Sequence, residues 1–154
     1  MNSKTFFSLI APAKLNLFLH INARRDDGYH ELETLFTFLN FGDELSFELT
    51  DESSILITGD TKDIPLEDNL IYKAALMLQT DAKTKHGVKI NLIKRLPMGG
   101  GVGGGSSDAA TTLLALNKLW NINYDINKLA NLGLQLGADV PVFIEGYSAW
   151  GEGV

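Results

Sequence analysis

The chain has 154 residues, 45% of them hydrophobic, which is enough to bury a core and indicates one folded domain rather than a disordered segment. Its formal net charge of −6 argues against a nucleic-acid or anionic-membrane surface, since both require clustered lysine and arginine. There is no cysteine, which excludes a disulfide framework and a thiol nucleophile, and the three histidines are not spaced like metal ligands.

The sequence shows neither an N-terminal targeting pattern nor a membrane-spanning run. The N-terminus lacks a basic segment followed by a long apolar stretch, and no run of apolar residues is long enough to span a membrane. We therefore expect a soluble, cytoplasmic protein without a membrane partner. The chain stops at Trp150–Val154 without a polar tail, from which we expect it to be part of a longer protein.

Alternating apolar residues predict β-strands in the first part of the chain. The first strand is the most regular, and its alternation places Lys14 and Asn16 together on the face opposite its leucines. The apolar positions of the predicted strands are Leu15, Leu17, Leu19 and Ile21; Leu45, Phe47 and Leu49; Ile55 and Ile57; and Val88, Ile90 and Leu92.

Helical spacing follows in three places, and Gly137 is a suitable residue to end the last of these helices. A short buried strand is predicted after that helix, and turns are predicted where acidic residues meet glycine. The pattern indicates an α+β architecture without internal repeats. The predicted helices are Asn69–Gln79, Ser107–Trp120 and Asn127–Leu136, the strand is Val140–Ile144, and the turns are Asp26–Gly28 and Glu145–Gly146.

Six of the seven residues from Gly99 to Gly105 are glycine, and the run lies between a predicted strand and a predicted helix. Glycine allows the backbone to bring its N–H groups against a ligand, and such amides can form an anion-binding concavity. The helix is expected to begin near Ser106 or Ser107 with a serine as its N-cap. Its unpaired N–H groups and its dipole favour an anion, so the run is predicted to bind phosphate.

Established phosphate motifs fit this run poorly. A Walker A loop ends in Gly-Lys-Ser or Gly-Lys-Thr, whereas Ser106 follows Gly105 directly. The G-x-G-x-x-G match that begins at Gly99 is nearly automatic in so glycine-rich a run. A flexible linker is the structural alternative. The short run and Pro97 at its entrance favour the phosphate loop.

Lys14 and Asp139 form a candidate pair for phosphoryl transfer. Lys14 stands beside Pro12 near the start of a strand, which would hold its ammonium in place, although spacing alone favours an ordinary surface lysine. Asp139 stands among small and apolar residues, where a carboxylate seldom lacks a partner. Asp139 either braces the turn before Pro141 or acts as a general base on a substrate hydroxyl, with Lys14 to orient it.

Tyr29 and His30 follow Asp27-Gly28 and place an aromatic ring and a hydrogen-bonding ring on one loop. This combination suits stacking on a nucleic base and recognition of its edge. On spacing alone, packing in the core is the simpler interpretation.

Four segments, in this order along the chain, resemble the 4-diphosphocytidyl-2-C-methyl-D-erythritol kinases of the GHMP kinase superfamily: Ala11–Leu17, Arg25–His30, Pro97–Ser107 and Leu136–Pro141. The glycine run alone indicates only the superfamily, whereas Gly28-Tyr29-His30 points to the cytidine-binding member. The resemblance implies a small-molecule kinase. Its reaction would transfer the ATP γ-phosphate to the 2-hydroxyl of a cytidine-diphosphate-linked methylerythritol, in the non-mevalonate route to isoprenoid precursors.

The same resemblance implies roles for residues on the substrate side. Asp139 would be the catalytic base and Lys14 its charged catalytic partner. Asn16 would contact the substrate near the reacting hydroxyl, Tyr29 would stack on cytosine, and His30 would hydrogen-bond the edge of that base.

On the nucleotide side, the resemblance implies ATP with Mg²⁺. The hydroxyl of Ser106 or Ser107 is placed to reach the metal, and no carboxylate ligand is assigned. The residues implied near the adenine are Asn69, Leu70, Ile71 and Lys94. Those implied to wrap the phosphates are Pro97, Met98, Gly99, Gly100, Gly101, Val102, Gly103, Gly104, Gly105, Ser106 and Ser107.

The fold that the resemblance implies is the GHMP kinase N-terminal, ATP-binding domain over residues 1–154, similar to the second domain of ribosomal protein S5. Members of the family continue into a C-terminal GHMP domain that this chain lacks. Other functions stay open. A homoserine or mevalonate-type kinase would not need Tyr29 and His30, and a binding module without catalysis would not need Asp139. An RNA-binding protein of S5-like topology is disfavoured by the negative charge.

Overall fold

The computed structural model describes residues 6–24, 30–61, 64–97 and 104–152, which form a four-stranded sheet with helices packed against one face. This arrangement confirms the predicted α+β architecture. The strands are β1 (Phe6–Arg24), β2 (His30–Thr50), β3 (Ile55–Gly59) and β4 (Gly87–Ile93). The helices are α1 (Leu70–Ala82), α2 (Gly104–Leu119), α3 (Ile126–Leu136) and α4 (Val140–Glu152), and a single 3-10 turn spans Leu66–Asp68.

The sheet has the order β1-β2-β4-β3 and combines antiparallel and parallel pairs. β2 pairs antiparallel with β1 and with β4, whereas β3 and β4 are parallel neighbours joined by the crossover helix α1. β2 pairs with β4 only over Glu44–Thr50, so β1 and the first part of β2 continue beyond β4 as a two-stranded ribbon. The predicted turn at Asp26–Gly28 lies outside the described residues.

The core follows the predicted alternation in β2 and β4. Leu45, Phe47, Val88 and Ile90 are fully buried against the helices, while Lys89 is exposed on the other face of the sheet. Since side chains of a strand alternate between two faces, this pattern fixes the register of the central pair.

β1 departs from the prediction at Leu15, which is 44% exposed rather than in the core. The buried apolar residues here are Ala11 and Ala13, and the register against β2 shifts between Pro12 and Lys14. This irregularity reverses the inward and outward positions, so the Lys14 side chain is sheltered and Leu15 faces out. The side chains of Asn16, Leu17, Leu19 and Ile21 lie outside the described part of the chain.

The predicted strand Val140–Ile144 is wrong, because these residues begin helix α4. Val140, Phe143 and Ile144 are buried at the spacing i, i+3, i+4, which is helical, and Pro141 suits a first helical turn because its missing N–H needs no partner there. The predicted turn at Glu145–Gly146 is wrong for the same reason, since both residues lie within α4. Gly146 instead provides close packing, because a Cβ at this position would overlap the Phe38 ring.

The other three helices are confirmed, with differences at their ends. Helix α2 is described from Gly104, so Ser106 and Ser107 lie inside it and neither is the predicted N-cap. Gly137 ends α3 in extended backbone with φ of 173°, and its N–H donates to the Gly133 carbonyl. Among the described residues, no helix is both long and apolar enough to cross a membrane.

Candidate active site

A buried charged cluster links the beginning of α2 to the middle of β2 and to the residues that follow β4. Asp43 is fully buried, and its Oδ1 accepts hydrogen bonds from the backbone N–H of Arg95 at 2.7 Å and of Leu96 at 2.8 Å. The Lys94 ammonium contacts Asp43 Oδ2 at 2.7 Å and Asp108 Oδ2 at 3.4 Å. We name Asp43, Lys94 and Asp108 the loop-base cluster, because Lys94 precedes the glycine run in the chain and Asp108 follows it.

Burial and mutual contact shift the pKa values of this cluster in opposite directions. Burial raises the pKa of Asp108 to about 8, and its hydrogen bond with Asp43 acts in the same direction. Burial also acts to raise the pKa of Asp43, but hydrogen bonds from Asp108, Lys94 and the two backbone N–H groups outweigh it and lower that pKa. Asp108 is therefore neutral near pH 7 while Asp43 and Lys94 are charged, so the three side chains together carry no net charge.

Helix α1 brings the predicted adenine residues to the same place. Asn69 is the N-cap of α1, and its Oδ1 accepts from the N–H of Ile71 at 2.9 Å and of Tyr72 at 3.4 Å. A Cβ on Gly105 would lie 3.3 Å from Leu70 Cδ1, and one on Gly104 would lie 3.1 Å from Lys94 Nζ. The first residues of α2 thus lie next to Leu70 and Lys94, two of the residues predicted to lie near the adenine. The Ile71 side chain, by contrast, is buried in the core.

Two contacts join the N-terminus of α2 to the elements that carry the proposed catalytic pair. The buried Ser107 hydroxyl donates to the Pro12 carbonyl at 2.6 Å, which ties the helix to β1 two residues before Lys14. On the other side, a Cβ on Gly137 would lie 3.9 Å from Ser106 Oγ. The segment between α3 and α4 therefore also borders the start of α2.

Lys14 and Asp139, far apart in sequence, form an ion pair with Nζ 3.9 Å from Oδ1. The Lys14 side chain is only 13% exposed, whereas the Asp139 side chain is 57% exposed. Asp139 directly precedes α4, and its backbone carbonyl accepts from the Phe143 N–H at 3.4 Å. The helix N-terminus favours a carboxylate at this position, so Asp139 stabilises the start of α4 and also presents an exposed carboxylate.

An aromatic pair lies beneath Lys14. Its Nζ is 6.0 Å from the centre of the Phe143 ring, and Phe38, which pairs with Lys14 across β1 and β2, lies 5.4 Å from Phe143 between ring centroids. Gly146 allows the Phe38 ring to approach α4. The Phe38 and Phe143 rings restrict the aliphatic part of the Lys14 side chain, and its ammonium lies towards Asp139.

Several predicted site residues fall outside what the structure describes. Met98–Gly103, which form most of the glycine run, and Tyr29 lie outside the described residues. Asn16 and His30 are described by backbone alone, in β1 and at the start of β2. Their predicted contacts with ATP or the cytidine base stay predictions.

Two residues of the site were missed by sequence reasoning. Asp108 ends the glycine-serine run, and Asp43 follows Gly42 before a predicted strand, so both resemble ordinary solvent-exposed turn or cap residues. The sequence does hint that Asp108 is buried, because it directly precedes Ala109, the first residue of the apolar helical pattern Ala109, Leu113. Nothing in the local sequence marks Asp43, whose partners are 51 to 65 residues away in the chain.

The described residues contain no group of three or more acidic, histidine or cysteine side chains that could hold a metal ion. Of the two serines considered for Mg²⁺, Ser107 is fully buried and donates to Pro12. Ser106 is half-buried in the first turn of α2 and is the better placed. A cation here would take most of its ligands from phosphates and water, which is the usual environment of Mg²⁺ at nucleotide sites.

Comparison with known sequences gives a consistent result. Residues 69–147, about half of the chain, match the family of GHMP kinases N terminal domain. The chain is 76% identical over 154 residues to the 4-diphosphocytidyl-2-C-methyl-D-erythritol kinase of Pseudoalteromonas translucida (strain TAC 125), covering 100% of this chain and 54% of the relative. It is 60% identical over 147 residues to the kinase of the same name from Pseudomonas paraeruginosa (strain DSM 24068 / PA7), covering 96% and 52%.

Solved structures agree with these sequences. A crystal structure of 4-(cytidine 5'-diphospho)-2C-methyl-D-erythritol kinase matches with a TM-score of 0.76 and 44% identity, over 91% of this chain and 49% of that one. Homoserine kinase from Cytophaga hutchinsonii matches with a TM-score of 0.65 at 21% identity, over 88% of this chain and 42% of that one, which shows the shared fold alone. The chain spans about half the length of the curated relatives it matches. The chain belongs to the GHMP kinases and contains their N-terminal domain.

Proposed function

We propose that the protein containing this chain phosphorylates 4-diphosphocytidyl-2-C-methyl-D-erythritol on its 2-hydroxyl, with ATP as the donor, in the non-mevalonate route to isoprenoid precursors. The Lys14–Asp139 ion pair beside the N-terminus of α2 carries the proposal. It places a carboxylate and a fixed cation next to the helix end predicted to bind phosphate, which is the arrangement that phosphoryl transfer requires.

In this reaction the Asp139 carboxylate accepts the proton of the substrate hydroxyl as its oxygen bonds to the γ-phosphorus. The bond from that phosphorus to the β–γ bridging oxygen breaks, and ADP leaves. Lys14 orients the carboxylate and stabilises negative charge on the transferring group. The exposure of Asp139 supports this role, because a base must reach a substrate that comes from solvent.

ATP would lie across the start of α2. Its phosphates would accept hydrogen bonds from the glycine run and the first-turn N–H groups, and its adenine would lie towards Asn69, Leu70 and Lys94. Mg²⁺ bound with ATP would neutralise charge on the phosphates, and Ser106 would be its ligand from the chain. Residues 1–154 would be the ATP-binding domain, and a second GHMP domain would complete the cleft.

The choice of substrate rests on the relatives that share 76% and 60% identity with this chain and carry this kinase name. The proposed specificity residues are Asn16, Tyr29 and His30. We further propose that the protein acts in the cytoplasm on this small molecule, without nucleic-acid or membrane partners.

The test is an ADP-release assay on the protein expressed from its complete reading frame. We expect turnover with 4-diphosphocytidyl-2-C-methyl-D-erythritol and none with homoserine or mevalonate. Turnover with either of those alcohols instead would replace the substrate proposal. ATP binding without turnover of any of the three would support a binding module.

Ligand-observed NMR on the 154-residue chain then shows whether the adenine contacts and the cytidine contacts both form within this chain. Saturation transfer to both adenine and cytosine protons would show that both half-sites form within this chain. Transfer to adenine alone would place the cytidine contacts in the remainder of the protein.

A further inference from the structure

We propose that Asp43 is a positioning residue for the nucleotide loop, and that it joins the entrance of the glycine run to its exit through Lys94. The proposal rests on the proposed use of ATP. It concerns how the loop is held rather than what touches the nucleotide.

At the entrance, one carboxylate oxygen fixes the chain that leads out of β4. Asp43 Oδ1 accepts from the N–H groups of Arg95 and Leu96 at 2.7 and 2.8 Å, and Pro97 follows directly. Two adjacent amides on one buried oxygen set the direction of the backbone as it enters the glycine run. Pro97 then restricts the next φ angle, so the entrance has little freedom.

At the exit, the other oxygen acts through Lys94. Asp43 Oδ2 contacts the Lys94 ammonium at 2.7 Å, and that ammonium reaches Asp108 Oδ2, in the first turns of α2, at 3.4 Å. Gly104 packs against the same ammonium, since a Cβ there would lie 3.1 Å from it. The position of Lys94 therefore sets where α2 begins relative to β4.

Because each Asp43 oxygen has its own partners, one substitution can separate the entrance arm (Oδ1 with the Arg95 and Leu96 N–H groups) from the exit arm (Oδ2 with Lys94). In Asp43→Asn, the remaining amide oxygen can still accept from Arg95 and Leu96, whereas the NH₂ group faces Lys94, also a donor. The entrance arm is kept and the exit arm is lost. The contact between Asp43 Oδ2 and the Lys94 ammonium is a charge-assisted hydrogen bond, a strong class of hydrogen bond, so its loss should be measurable.

Glu44 provides a matched control. It is the neighbouring residue on β2 and also joins β2 to the segment after β4, because its Oε2 contacts Arg95 Nη2 at 3.0 Å. This pair is half-exposed on the opposite face of the sheet and does not reach Lys94 or α2. Glu44→Gln therefore removes a carboxylate link at the same level of the sheet without touching the loop-base cluster.

The experiment measures the Kd of ATP and of the cytidine substrate separately, by calorimetry, on the complete protein and its variants. We expect Asp43→Asn to weaken ATP binding at least about tenfold, the effect of about 1.4 kcal/mol, and to leave cytidine-substrate binding nearly unchanged. Glu44→Gln should change neither. Hydrogen exchange should accelerate at residues 104–108 in Asp43→Asn and not at residues 126–136.

Unchanged ATP affinity in Asp43→Asn would overturn the proposal, and so would equal weakening of both ligands, which indicates general loss of structure. If Asp43→Asn does not fold, Asp108→Ala removes the same bridge from the helix side, where alanine is well tolerated. Weaker ATP binding alone then supports the proposal, and unchanged binding overturns it. If the wild type binds ATP but phosphorylates no tested alcohol, the proposed reaction fails while the binding comparison still decides the role of Asp43.

Discussion

Two lysine–aspartate contacts of the site, Lys94–Asp43 and Lys14–Asp139, differ in distance, burial and hydrogen-bond partners. Lys94 and Asp43 are 2.7 Å apart, and the carboxylate is fully buried and also bonded to two backbone N–H groups. Lys14 and Asp139 are 3.9 Å apart, and the carboxylate is mostly exposed. Both contacts border the first turns of α2, one below it and one beside it.

The difference separates positioning from chemistry. A buried carboxylate that already accepts hydrogen bonds from Asp108, Lys94 and two backbone N–H groups has little capacity to accept a substrate proton, but it fixes the groups around it. An exposed carboxylate with a long contact retains free lone pairs and can meet a substrate. Burial and hydrogen-bond partners thus suit the same two residue types to different proposed roles, and each contact can be tested against the other.

The largest effect should come from Asp139→Asn in the complete protein. The amide cannot accept the substrate proton, so kcat should fall by about 10²–10⁴, the usual contribution of a general base. Because the side chain is 57% exposed, thermal stability and the Kd of the cytidine substrate should stay nearly unchanged. Turnover equal to that of the wild type would remove Asp139 from the mechanism, and Asp43→Asn serves as the contrasting variant, since it should alter ATP binding.

The second effect concerns Asp108 and pH. Its folded-state pKa is raised from 3.8 to about 8, mainly by burial, so the folded protein holds a proton that the unfolded chain has lost between those values. The stability contributed by Asp108 is therefore complete below pH 3.8 and falls as the pH rises to about 8, at up to about 1.4 kcal/mol per pH unit.

Asp108→Asn should remove this slope, which urea unfolding of the complete protein at several pH values above about 5 would measure. Asp43 does not interfere in this range, because its pKa is lowered and its contribution is lost only as the pH falls below 3.8. An equally steep decline of stability in the variant would assign the slope to other groups.

The third prediction concerns the packing of the Phe38 and Phe143 rings next to Lys14. Gly146→Ala places a methyl group into the Phe38 ring, and overpacking of this kind typically costs about 1–3 kcal/mol. Since Phe38 pairs with Lys14, kcat should fall together with the melting temperature. Gly137→Ala is the matched control for stability, because its Cβ would meet its neighbours at ordinary contact distance, 3.6 Å from Val140 Cγ2. Equal melting temperatures for the two variants would contradict this packing.

Local sequence patterns predicted those parts of the fold that depend on local periodicity. The alternation at Leu45–Leu49 and Val88–Leu92 located the central strands, and helical spacing located α1, α2 and α3 to within a few residues. The same logic failed at Val140–Ile144, where a short apolar run was interpreted as a strand. There, buried positions at i, i+3 and i+4 and a proline in the first turn favour a helix.

The site was less accessible to sequence reasoning because its contacts are long-range. Ser107 bonds to Pro12 and Asp43 to Leu96, and no local pattern encodes such pairs. The register shift between Pro12 and Lys14, which turns Leu15 outwards, also arises from pairing with β2 rather than from β1 itself. The residues around Lys14 and Asp139 suggested this pair as one of two interpretations of Asp139, and the resemblance favoured it. The structure places Lys14 Nζ 3.9 Å from Asp139 Oδ1, while the catalytic roles of both residues stay predictions.

The smallest effect should come from a lysine–aspartate contact outside the site, on the surface between α1 and α3. Asp81 Oδ2 accepts from the Tyr124 hydroxyl at 2.7 Å and lies 3.4 Å from Lys128 Nζ, with both charged side chains well exposed. Asp81→Asn should cost less than about 1 kcal/mol in urea unfolding, and high salt should reduce the loss further, because water and ions screen this pair. Tyr124→Phe, which removes one hydrogen bond and keeps the ion pair, separates the two contributions. If Asp81→Asn lowered the free energy of unfolding as much as Gly146→Ala, solvent exposure would not predict how much such contacts contribute to stability. The distinction between the buried Lys94–Asp43 pair and the exposed Lys14–Asp139 pair would then need another basis.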